Sequence, residues 1–313
     1  MAATALPPPG SVDLSGDPRR HRRERTMGIV FFAAAAVSLV VTVLILVSLF
    51  SNGLEFFTDV EWSNVFNATG WNPRANQYGI STILVGSLIV TGVAMVVATP
   101  LGLGAAIYLS EYAQPRIRTV LKPILEVLAG IPSVVIAVFA LNWIAPEIVG
   151  RLFGQQYSRG SMMAAGIGVG ILSIPLIASV SEDAMRAVPN SLRQASAGLG
   201  ARRMSTTVRV VLPAAISGIV AAFILATSRA IGETMVVFIA GGAADSAPYT
   251  TNPLDGSLTM TAAMASLAVG TENVRGSGLA VPSLYFVGIV LFFFTFALNL
   301  IADRFVRRVR QAY

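Results

Sequence analysis

Residues 28–50 read GIVFFAAAAVSLVVTVLILVSLF, a run without a charged residue. About 20 apolar residues in an α-helix cross a bilayer core about 30 Å thick, so this stretch is long enough to span one. Just before it stand Arg19, Arg20, Arg22, Arg23 and Arg25. A basic cluster ahead of an apolar run resembles a secretory signal peptide. This run is too long for one and has no convincing small-residue cleavage site before Asn52, so it reads as a retained anchor. Residues 1–18, rich in Pro, Gly, Ser and Ala and without an apolar periodicity, read as disordered. Together with the arginines they make 1–26 a basic tail.

Working outward, five more apolar segments follow at about 78–108, 123–145, 162–181, 213–240 and 280–302, the first of them interrupted by Pro100 and Gly102. The chain has 313 residues, 54% of them hydrophobic and 12% charged, with mean hydropathy +0.70. A soluble domain of this length carries roughly twice that charged fraction. The expected fold class is therefore all-α, a polytopic bundle of about six transmembrane helices. Its membrane domain is 27–303, its longest basic loop is about 183–212, and 304–313 is a second basic tail. Gly166 and Gly170 give a small-xxx-small spacing of the kind that lets helices pack closely.

The positions of the basic residues set the orientation. The N-terminal arginines, Arg116, Arg118 and Lys122, then Arg186, Arg193, Arg202, Arg203 and Arg209, and finally Arg304, Arg307, Arg308 and Arg310 account for 17 of the 22. The opposite side holds Arg74, Arg151, Arg159 and Arg275. Both termini are expected on the cytoplasmic side of the cell membrane, as an even number of spans requires. The external connections, 51–77 and 241–279, read as folded caps or re-entrant segments. The net charge of +6 follows topology and is not interleaved with aromatics, so a nucleic-acid partner is not expected.

Several chemistries are excluded. With no cysteine there is no disulfide or thiolate site. The one histidine, His21, lies in the arginine-rich tail. No metal ligands, catalytic set or cofactor are expected.

Two membrane segments carry candidate sites. Arg229 and Glu233, in Thr227-Ser228-Arg229-Ala230-Ile231-Gly232-Glu233-Thr234, stand i, i+4 and would share one helix face. Charge inside a span costs about 2.5–3.5 kcal/mol by insertion scales, so such residues face a polar cavity or a partner. They are either a mutual ion pair holding the bundle or an arginine that meets an anion in transit. In Glu126-Val127-Leu128-Ala129-Gly130-Ile131-Pro132-Ser133, Pro132 predicts a kink or break. A half-helix restarting at Ser133 would offer free N–H groups to an anion, while a plain packing kink is the alternative. In the loop after the fourth segment, Ser191 and Gln194 read as a capping box opening a short helix that Gly198 and Gly200 end. So short a helix is unstable alone and packs against its own protein or docks into a partner.

That loop resembles the cytoplasmic signature of ABC importer permeases, Glu-Ala-Ala, three residues, Gly, nine residues, Ile-x-Leu-Pro. Gln194-Ala195-Ser196 is followed at the same spacing by Gly200 and then by Val210-Val211-Leu212-Pro213. Gln194 replaces the acidic residue and Ser196 an alanine. Ala129-Gly130-Ile131-Pro132-Ser133-Val134-Val135 and Arg229-Ala230-Ile231-Gly232-Glu233-Thr234-Met235 resemble the phosphate importer permeases, the PstC type more than its PstA-type partner. The resemblance covers about 28–310. It implies an ABC type I importer permease fold and a subunit of an ATP-driven phosphate importer. It implies translocation residues at Arg229, Glu233, Thr234 and Ser133 and a pathway kink at Gly130 and Pro132. ATPase coupling would run through Gln194, Ala195, Ser196, Gly200, Leu212 and Pro213. The implied partners are a PstA-like permease, two PstB-like ATPases and a PstS-like extracellular or periplasmic phosphate-binding protein. The chain has no Gly-x-x-x-x-Gly-Lys-Ser/Thr loop of its own, so ATP hydrolysis would lie in a separate subunit. A permease for another oxyanion or solute, or a membrane component of a phosphate-sensing complex, are the alternatives.

Overall fold

The computed structural model describes residues 18–66, 70–154, 158–242, 246–269 and 278–309. Among the described residues six helices are long and apolar enough to cross a membrane. In chain order the elements are α1 (Pro18–Asp59), α2 (Trp62–Phe66), β1 (Trp71–Asn72), β2 (Gln77–Tyr78), α3 (Ile80–Tyr112), α4 (Pro115–Ala129), α5 (Ser133–Phe153), α6 (Met162–Arg186), α7 (Asn190–Gly198), α8 (Arg203–Ile231), α9 (Met235–Ala240), α10 (Met260–Val269) and α11 (Ala280–Val309). The spans are α1, α3, α5, α6, α8 and α11.

The chain divides into two compact units between Ser51 and Asn52, within α1. In the first, Phe31, Phe32, Leu39 and Ile45 are all exposed. A helix apolar all round belongs in lipid or against other helices. It begins at Pro18, so the tail expected over 1–26 is helical from Pro18, because the arginines extend the span by in-register turns. Residues 1–17 lie outside the described set. At the other end α11 continues to Val309, so 304–309 is helical, while 310–313 lie outside the described residues.

In the second unit α6 is the central helix. It packs on α3, α4, α5, α8 and α9. Glycines make the closest approach. A Cβ on Gly166 would lie 2.6 Å from Val93 Cβ, one on Gly170 would lie 2.9 Å from the Ala94 carbonyl oxygen, and one on Gly102 would lie 2.8 Å from Ile177 Cβ. Gly102 is therefore a packing position. Pro100 does not interrupt α3, which runs through it and ends in a π-helical turn at Tyr108–Tyr112.

The third and fifth segments differ from expectation. The third is two elements. α4 has no buried residue and carries Arg116, Arg118 and Lys122, and the span proper is α5. The reason is Pro132, which cannot donate to the preceding turn. The fifth starts at Arg203, ten residues earlier than Pro213, because a π turn at Thr207–Val211 leads into the proline. Such a turn re-registers the ladder, so the missing N–H is tolerated. It ends at Ile231, and α9 is separate.

The ends of the second unit are capped. Phe56, near the end of α1, stacks on Phe286 at 4.7 Å and meets Tyr78 edge-on at 5.1 Å. β1 and β2 form a short antiparallel pair, and Trp71 exchanges backbone hydrogen bonds with Ala247 at 2.8 and 2.9 Å. Gly160, Gly242 and Gly256 meet backbone to backbone, where no Cβ fits. The 241–279 connection holds the buried α10, ten residues and too short to span. Residues 243–245 and 270–277 of it, with Arg275, lie outside the described set.

Candidate functional site

The structure places the candidate residues in two groups. The first surrounds the breaks that follow α4 and α8. α8 ends at Ile231, Gly232 caps it with a right-handed φ of −80°, and α9 restarts at Met235. Glu233 therefore lies beyond the helix end, and the i, i+4 geometry expected for Arg229 and Glu233 does not apply. Among the described residues neither makes an ion pair. Arg229, in the last turn of α8, is exposed in the isolated chain, and Glu233 is half-buried. Thr234 Oγ1 donates to the Gly232 carbonyl at 3.3 Å and does not cap α9.

The companion break is at Gly130–Pro132. α4 stops at Ala129, Gly130 N–H donates to Val127 O at 3.0 Å, and Pro132 is the N-cap of α5 without a side-chain cap. The first N–H groups of α5 after the proline, from Ser133, are thus left without helical partners, which puts the positive end of a long helix there. α9 packs directly on α5, so the helices restarting after the two breaks are neighbours. No hydrogen bond joins Ser133 to Arg229 or Glu233 among the described residues. Arg229, without an ion pair among the described residues, and the half-buried Glu233 flank one break, and the N–H groups that open α5 follow the other.

The second group is α7 and its surroundings. Pro189, with φ −56° and ψ 136°, is the N-cap, and no side chain caps the helix. The expected Ser191–Gln194 capping box is absent because the helix begins two residues earlier, with Pro189 in place of Ser191 as N-cap, which puts Ser191 inside the first turn. One face of α7 is held by its own protein. Leu192 packs on the cluster of Met185, Val188, Val211 and Ala215, and Leu212 joins it. Ser196 Oγ lies 2.9 Å from Thr206 Oγ1. Arg193 donates to Glu111 Oε1 at 2.9 Å, to the Met185 carbonyl at 2.8 Å and to the Val188 carbonyl at 2.6 Å. The other face, with Gln194, Ala195 and Leu199, is exposed. One face of the short helix therefore packs against its own protein, and the other is open in the isolated chain. Gly200 follows the cap residue Leu199 with φ +76°, the left-handed position where glycine costs nothing. Pro213 is exposed on α8.

Sequence reasoning missed the carboxylates that anchor this end. Glu182 is fully buried and pairs with Arg118 at 2.6 Å and Lys122 at 2.8 Å, and Lys122 also reaches Asp183 at 2.8 Å. Hydrogen bonds that Lys122 donates to Asp183 and then to Glu182 push its ammonium pKa above the ordinary lysine range. The available signal was acidic residues at the ends of apolar spans, Glu111 and Glu182, facing the arginines of loops far away in sequence.

A family model for the binding-protein-dependent transport system inner membrane component matches residues 98–311. The chain belongs to that family. It is a transport component of a membrane and not an enzyme. The permease is 32% identical to phosphate transport system permease protein PstC 1 of Mycobacterium bovis over 286 residues, 83% of each chain. It is 29% identical to PstC of Xylella fastidiosa over 331 residues, 99% of each chain, and 35% identical to PstA 1 of Mycobacterium tuberculosis over 225 residues, 72% of this chain and 71% of that one. Among solved structures, a bacterial alginate ABC transporter in complex with its periplasmic protein has a chain with TM-score 0.67 and 13% identity, covering 94% of this chain and 98% of that one. The inward-facing methionine transporter MetNI gives TM-score 0.55 and 19% identity, covering 72% and 94%. These likenesses show the ABC importer permease fold.

Proposed function

We propose that the chain is the PstC-type permease subunit of an ATP-driven phosphate importer, forming half of the pathway with a homologous PstA-like subunit. Of two PstB-like ATPases in the complex, one would dock on the exposed face of α7, and a PstS-like binding protein would deliver phosphate at the opposite end. The observation that carries the reading is Arg229, an unneutralised guanidinium beside a helix break, in a chain with near full-length PstC relatives. An arginine fork matches a phosphate oxyanion in charge and geometry. The longer coverage of the PstC relatives favours that subunit over the PstA type.

Gln194, Ala195, Ser196, Gly200, Leu212 and Pro213 form the coupling region. Arg229, Glu233, Thr234 and Ser133 line the path, and the breaks at Gly130–Pro132 and Gly232–Thr234 let the helices restarting there turn against the bundle. Arg193–Glu111 and Lys122–Glu182 tie α7 and α4, which lie in the basic connections after α6 and α3, to the ends of α3 and α6, which supports a single basic, cytoplasmic face. The basic residues flanking the first and last spans would put both termini on the cytoplasmic side.

The test is ATP-dependent uptake by the assembled complex in proteoliposomes supplied with the binding protein. Phosphate is expected to accumulate and sulfate to be excluded. Accumulation of sulfate or another solute in place of phosphate would reject the substrate, and absence of any ATP-dependent uptake would reject the transport reading.

A further inference from the structure

The break beside Arg229 is held by a helix that carries no charge. α10, MTAAMASLAV, lies buried against α3, α9 and α11. Its Thr261 is 6% exposed, and Thr261 Oγ1 donates to the backbone carbonyl of Glu233 at 2.7 Å. That carbonyl belongs to the peptide joining Glu233 to Thr234, in the gap between α8 and α9, where helical continuity no longer supplies a donor. A hydroxyl has one hydrogen. Since Thr261 gives its hydrogen to Glu233, the 3.1 Å contact between Thr259 and Thr261 has Thr259 as donor. Thr259 Oγ1 in turn accepts the Ala262 N–H at 3.2 Å and so caps α10. The helix is tied to α3 as well. Met260 N–H donates to Ser87 Oγ at 2.9 Å, and Ser87 donates to the Ile83 carbonyl at 2.8 Å. A directed chain of hydrogen bonds thus runs from Thr259 through Thr261 to the peptide that carries the Glu233 carboxylate.

We infer that Thr261 is a positioning residue for the translocation site, fixing the Glu233–Thr234 peptide and with it the placement of the Glu233 carboxylate relative to Arg229. The inference rests on the anion-path reading above. A neutral donor suits the task. A charged anchor at this place would itself attract or repel the anion, whereas a buried hydroxyl fixes the backbone and adds no charge beside Arg229 and Glu233.

The experiment uses the full complex in proteoliposomes with its binding protein, and reads phosphate uptake per assembled complex together with phosphate moved per ATP hydrolysed. Thr261→Val keeps the shape and removes the donor, leaving a buried carbonyl unpaired. It is expected to assemble, to lower the maximal uptake rate about tenfold, and to leave the phosphate concentration for half-maximal uptake unchanged, because the binding protein meets phosphate first. Phosphate moved per ATP should fall in parallel. Thr261→Ser keeps the hydroxyl and should restore uptake to within about twofold of the wild type. Wild-type uptake per complex in Thr261→Val overturns the inference. So does a Thr261→Val chain that fails to assemble, or a Thr261→Ser complex as slow as Thr261→Val, since either result makes the residue structural only. Arg229→Gln measured in parallel separates the two levels. If it transports normally, the anion-path reading itself has failed. If it is inactive while Thr261→Val is normal, only the positioning role has.

Discussion

Lys122 is the chain's one lysine, which makes it a reporter of its own surroundings. It joins α4 to the end of α6 through Asp183 and the buried Glu182. Removing one partner of a buried pair costs about 3–5 kcal/mol, because the remaining charge is stranded. Lys122 and Arg118 are each 25% exposed, so water reduces that cost here. The raised pKa of Lys122 has a definite sign. The stabilisation is fully present below the unfolded lysine value of about 10.4 and is lost as pH rises through the folded value. Amine-directed labelling at about pH 9 is therefore expected to modify Lys122 slowly, with the peptide resolved by mass spectrometry. Glu182→Gln, which removes a charged partner, should label several-fold faster. Equal labelling in the two proteins would contradict the cluster. Arg193 works at the same scale, since its guanidinium closes on Glu111 and on the carbonyls of Met185, in the last turn of α6, and of Val188 just after it.

Elements differ in how much of them the sequence declares. The run at 28–50 and the segments at 78–108, 162–181 and 280–302 are legible because membrane-spanning helices declare themselves by apolar length, whether they face lipid or other helices. The breaks are less so. Pro132 announces its own, but nothing at Gly232–Thr234 forbids a continuous helix by propensity, and the tie from Thr261 to Glu233 is a contact between residues 28 positions apart. Likewise, the start of α8 at Arg203 depends on a π turn that no local pattern marks. The start of α7 depends on Pro189 and on the Arg193 contacts, which displace a capping box that was plausible from Ser191 and Gln194 alone. Gly200 was legible, and its consequence can be tested. A Cβ there meets nothing within 4 Å, so Gly200→Leu costs only left-handed strain, on the order of 1 kcal/mol. The variant is expected to insert and melt near the wild type but to lose the ATPase on purification, because the exposed face of α7 is obstructed. Normal retention of the ATPase together with normal uptake would contradict docking at α7.

At the scale of the molecule, one end of the second unit is knitted by ion pairs among the basic loops, and the other is closed by backbone contacts at Trp71–Ala247 and Gly160–Gly242. Between them the helices restarting after the two breaks, α5 and α9, lie side by side, and Arg229 stands at the end of α8 without a counter-charge among the described residues. An uncompensated cation in a span is costly unless a cavity or an anion meets it. Radiolabelled phosphate uptake in proteoliposomes holding equal amounts of complex with wild-type, Arg229→Gln or charge-swapped (Arg229→Glu with Glu233→Arg) permease separates an anion path at Arg229 from a purely structural charge. All three are expected to assemble, with uptake at least about tenfold lower in both variants, since Gln removes the charge and the swap moves it beyond the helix end. Uptake near wild type in either variant would contradict an anion path at Arg229.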